Sequence, residues 1–103
     1  MPFITDTAPK DVLAQVRSLL DKGEGKQALE LVDSFLKVNT SSVANRPFIA
    51  KATVLKAESQ LLLSDFSKAQ ETCEKAVGLS KQVKDPIVEA EALRMIGNMS
   101  WKK

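Results

Sequence analysis

Apolar side chains recur along this chain at spacings of three, four, seven and eight, and no segment alternates apolar with polar as a strand would. Pro9 suits a first helical position, with Thr7 or Ala8 as cap, and Val12, Val16, Leu19 and Leu20 then share one face. The "KGEG" of residues 22–25 stops that helix. A second helix is expected from about Lys26 to Val38, with Ala28, Val32, Phe35 and Leu36 on its face and the polar turn "NTSSVANR" after it. Pro47 opens a third, in which Ala50, Val54, Ala57 and Leu61 align, and "LSD" around 63–65 closes it. "SDFSKAQETCEKAV" begins a fourth that runs to about Val83, with Phe66, Ala69, Cys73, Ala76 and Val77 to one side. Asp85 before Pro86 is a cap followed by a proline at the first helical position, so a fifth helix carries Ile87, Ala90, Leu93, Ile96 and Gly97. The fold class is all-α.

The pattern repeats. When "GEGKQALELVDSFL" is set over "SDFSKAQETCEKAV", Ala28 falls on Ala69 and Glu30 on Glu71, 41 residues apart. The same shift carries Val16 onto Ala57, and a shift of 40 carries Ala57 onto Gly97. Residues 1–103 therefore read as one domain of stacked helical units: repeat 1 over about 9–46, repeat 2 over about 47–84, and the first helix of a third over about 86–101. An ordinary helical bundle with fortuitous self-similarity is the competing reading.

These residues resemble the tetratricopeptide repeat (TPR) family, in the longer variant of roughly 40 residues. Ala57, Ala69 and Ala76 match the family's small packing positions, and "SDFSKA" is similar to its inter-helix turn. Val16, Ala28 and Phe35 match in repeat 1, where Gly25 replaces the usual turn aromatic, and "DPIVEAEALRMIGNM" is similar to a further first helix. Lys81 stands where a proline often ends the repeat, and Leu19 and Gln60 replace the usual tyrosine. The resemblance implies a right-handed solenoid of two hairpins plus one helix. It also implies a concave groove lined by first helices, and in this chain the matching positions are Lys10, Leu13, Arg17, Lys51, Val54, Glu58, Leu62, Arg94 and Asn98. A protein or peptide segment, weakly favoured to be acidic, is the expected ligand. The Lys and Asn clamp by which chaperone-binding members hold a terminal carboxylate is incomplete here.

Composition narrows the chemistry. The chain is 44% hydrophobic and 27% charged, which suits a folded domain. Its net charge of +2 comes from lysines scattered along the chain, a solvated surface rather than a nucleic-acid footprint. With no histidine, the usual general base and the Ser-His-Asp triad are missing, so a non-enzymatic adaptor or scaffold without cofactor is expected. The single cysteine, Cys73, falls on a packing face and reads as a small buried hydrophobe. Without a long apolar run or a secretory leader, a cytoplasmic or nuclear location is expected, with no membrane span. Met95, Met99 and Trp101 near the C-terminus form a candidate oligomer face, and two readings stand open for it: a longer array beyond Lys103, or a homodimer.

Overall fold

A computed structural model describes the backbone of residues 9–39 and 46–101, and the side chains of 11–38 and 46–98. Five helices follow one another: α1 (Pro9–Asp21), α2 (Gly25–Asn39), α3 (Arg46–Leu62), α4 (Phe66–Val83) and α5 (Pro86–Trp101). The expected caps of α1 and most of the "NTSSVANR" turn lie outside the described residues.

Local chemistry explains the boundaries. Gly23, Ser64 and Lys84 all take positive φ, at 79°, 61° and 57°, and each ends a helix with the same pair of backbone bonds. At the first, Gly23 N–H donates to the Leu20 carbonyl and Glu24 N–H to that of Leu19; at the second, Ser64 donates to Leu61 and Asp65 to Gln60. Lys84 and Asp85 repeat the pattern onto Lys81 and Ser80. This is a Schellman closure, which satisfies carbonyls that the helix end leaves open. Asp85 then starts α5, its Oδ1 accepting from the N–H groups of Ile87 and Val88, both at 3.2 Å. The turns at Gly23 and Ser64 sit 41 residues apart, so the repeat in sequence is also a repeat in backbone geometry.

Each helix packs on its sequence neighbour, and in addition α1 packs on α3 and α3 on α5. This places α1, α3 and α5 in one row, with α2 and α4 as the second layer. The principal extents are 40 × 30 × 18 Å, the shortest being about two packed helices thick. Two cores result. One unites Val12, Val16, Leu20, Ala28, Val32 and Phe35 with Ala52 and Leu55 of α3; the other unites Ala50, Val54 and Ala57 of α3 with Ala69, Cys73, Ala76, Val88, Ala92 and Met95. The repeat partners Ala57, Ala69 and Ala76 are all fully buried, as are Val16 and Ala28.

Three sequence expectations need correction. Helix α3 has a second buried face, Ala52, Leu55 and Ser59, because it is packed from both sides. Helix α5 buries Val88, Ala92 and Met95, whereas Ile87 and Leu93 are 70% and 51% exposed and Ala90 and Gly97 are also open. Both sets have helical spacing, and packing on α3 and α4 selects the first. Phe66 is half-exposed at the first position of α4 and not part of the core. No helix among the described residues is long and apolar enough to cross a membrane.

Candidate binding groove

Residues of α1, α3 and α5 line two open cavities along one side of the row. The first, of about 340 Å³, has Leu13, Val54, Leu55 and Val88 among its lining, with Ala14, Arg17, Lys51, Ile87 and Glu91 around them. Leu13, Val54, Leu55 and Val88 are all buried, so they form its floor. The second, of about 640 Å³, is lined by Arg17, Leu20, Asp21, Glu58, Leu61, Leu62, Arg94, Met95 and Asn98. Arg17 lines both and therefore stands between them.

Of the nine positions that the resemblance placed in a groove, Leu13, Arg17, Lys51, Val54, Glu58, Leu62, Arg94 and Asn98 line one or both cavities. The side chain of Lys10 lies outside the described residues. Leu13 and Val54 are nearly closed to solvent, leaving Arg17, Lys51, Leu62, Arg94 and Asn98 as the exposed members. Met95 is turned into the second core and borders the second cavity, so it offers little to another subunit. The Met99 and Trp101 side chains fall outside the described residues.

Arg17 and Glu58 hold each other across α1 and α3. Arg17 Nη1 donates to Glu58 Oε2 at 2.7 Å and Nη2 donates to Oε1 at 3.3 Å, a bidentate pair. The two residues occupy the same repeat position, 41 residues apart, so the bridge ties equivalent points of adjacent units. Among the lining side chains the cations Arg17, Lys51 and Arg94 are matched by Asp21, Glu58 and Glu91. The sequence reading missed Asp21, Ile87 and Glu91. The repeat itself could have supplied two of them, since shifts of 41 and 40 carry Leu62 to Asp21 and Lys51 to Glu91, whereas Ile87 is the equivalent of Pro47, which lines neither cavity.

The opposite side of the molecule is different. A polar crevice there is lined by residues of α2, α3 and α4, among them Asp33, Lys56, Asp65 and Lys68. Four of its charges pair internally, Lys56 with Asp33 at 3.0 Å and Lys68 with Asp65 at 3.8 Å, and Glu71 and Lys75 also line it. Thr72 Oγ1 donates to Gln60 Oε1 at 2.6 Å, a buried link between α4 and α3, and shares that hydrogen with the Lys68 carbonyl oxygen at 2.8 Å. Cys73 is fully buried, and its thiol is pushed up to about 11 by burial first and by Glu58 and Glu74 after it, so at neutral pH it is a protonated, unreactive thiol. Among the described residues, no three His, Cys, Asp or Glu side chains converge as a metal site. No family model, curated protein or solved structure matches this chain.

Proposed function

We propose that this protein is a TPR-like helical-hairpin array that works as a non-enzymatic adaptor, holding a peptide or protein segment along α1, α3 and α5. The observation that carries this reading is the row of first helices, whose equivalent positions line two adjoining cavities with a buried apolar floor and a charged rim. Such a surface suits a segment that seats apolar side chains in the cavities and pairs its polar groups with the rim. Because Arg17 is engaged by Glu58, attraction for acidic groups falls to Lys51 and Arg94, and Asp21 and Glu91 oppose it. Selectivity then follows from the pattern of charges along the ligand more than from its net charge.

The test is capture from a native lysate by the wild-type chain and by a Lys51→Glu/Asn98→Glu double variant. Both positions are exposed, so the fold should hold, which circular dichroism checks. Wild type should retain specific proteins that the double variant loses. If every captured protein is held equally by both, the groove is not the binding surface.

A further inference from the structure

The two cavities of the groove are one motif repeated along it. A shift of seven residues carries the lining of the first onto that of the second: Leu13 to Leu20 on α1, Val54 to Leu61 on α3 and Val88 to Met95 on α5. Every other lining residue of the first cavity obeys the same shift except Arg17, which lines both. Since the first cavity takes the earlier part and the second the later part of all three helices, α1, α3 and α5 run in the same direction. Seven residues are two helical turns, so the cavities lie about 10.5 Å apart along that direction. Between them stands the Arg17–Glu58 pair, which occupies two of the five N–H donors of the guanidinium.

We infer that the partner segment held in this groove is an α-helix laid along α1, α3 and α5, with apolar anchors at positions i and i+7 and hydrogen-bonding side chains at i+3 and i+4. This rests on the adaptor reading above and names the ligand for it. The spacing selects the helix. Residues seven apart in a helix share a face and stand about 10.5 Å apart, so one enters each cavity. In an extended strand, residues on one face are about 6.7 Å or about 13 Å apart, and neither spacing fills both cavities. A polyproline helix comes nearer, at about 9.3 Å for every third residue, but such ligands dock on aromatic side chains, and neither cavity has one among the described residues. The midpoint of the ligand lies over the bridge. An apolar residue there would strip water from Arg17 and Glu58, whereas a Gln or Ser oxygen accepts from the remaining guanidinium N–H groups. The anchors differ in size, a leucine for the cavity of about 340 Å³ and an aromatic ring for that of about 640 Å³. Among the described residues no ion pair engages Lys51 and Glu91 beside the first cavity, or Asp21 and Arg94 beside the second, so the matching helix carries both signs of charge around each anchor.

The test uses the full chain and labelled alanine-based helical peptides about 18 residues long, with Lys and Glu interspersed, read by fluorescence anisotropy. The first peptide has Leu at i, Gln at i+3 and i+4, and Phe at i+7. It should bind saturably, and about tenfold more tightly than a second with Phe moved to i+5 or a third with Leu at i+3 and i+4. Ala14→Lys and Leu62→Glu, both at exposed positions that line the cavities, should each weaken the first peptide about tenfold, and Lys75→Glu on the opposite side should leave it unchanged. Absence of saturable binding, or a first peptide held no more tightly than either of the others, overturns the inference. So does tighter binding of a proline-rich peptide with Leu at i and i+3, which gives the groove to an extended ligand. A concentration-dependent dimer in sedimentation equilibrium, dispersed by Leu62→Glu, gives it to a second copy and overturns the inference as well. Capture from lysate reads the groove whatever the shape of its ligand. If capture depends on Lys51 and Asn98 while the peptides show no preference, the helical ligand is wrong and the adaptor reading stands.

Discussion

Cys73 shows how a single side chain can set a pH limit. Its folded-state pKa, about 11, lies above the ordinary thiol value of 9, so its contribution is complete below about pH 9 and is lost as pH rises toward 11. Between pH 8 and pH 10.5, urea melts should show wild type losing on the order of 2 kcal/mol relative to Cys73→Ala. Equal pH dependence in the two proteins would refute this assignment. Gly25 makes a sharper steric demand. A Cβ there would lie 2.9 Å from Leu62 Cβ and 3.2 Å from the Ser59 carbonyl oxygen, and the latter belongs to helical backbone that gives little. Gly25→Ala should therefore destabilise by about 1–3 kcal/mol even though alanine is the better helix former. A midpoint unchanged or raised would mean that α2 and α3 can move apart at no cost.

At the scale of elements, the buried polar link between α3 and α4 is the joint most easily tested. Thr72→Val removes the donor to Gln60 Oε1 and leaves a buried amide oxygen without it, at a cost of about 1–3 kcal/mol in thermal or urea unfolding. The double variant Gln60→Leu/Thr72→Val should recover much of the loss, since no polar atom is then stranded. Helix boundaries were legible in the sequence because Pro9, Pro47 and the Asp85–Pro86 pair mark the starts and Gly23 marks a stop. The facing of α5 was not legible. Ile87, Ala90, Leu93 and Gly97 and the true core set Val88, Ala92 and Met95 both satisfy a helical period, and only the neighbouring helices decide between them. The second face of α3 was hidden for a related reason: Ala52 and Ser59 are too small to register as a stripe. Eight of the positions named from the resemblance line the two cavities, but the Arg17–Glu58 bridge required knowing how closely α1 and α3 approach.

For the whole molecule, the bridge between α1 and α3 contributes little to stability. With side chains 46% and 26% exposed, Arg17 and Glu58 gain at most about 1 kcal/mol, so Arg17→Ala should shift the unfolding midpoint only slightly. A loss above about 2 kcal/mol would give the pair a structural role that its exposure does not support. The placement of α3 has a larger consequence. Since residues of this one helix belong to both cores, unfolding α3 removes packing from both halves at once, and the short chain gains a coupling between its halves through that helix. Its amides should be the last to exchange with deuterium, at rates that report global opening, while those of α1 and α5 are released earlier by fraying from either end.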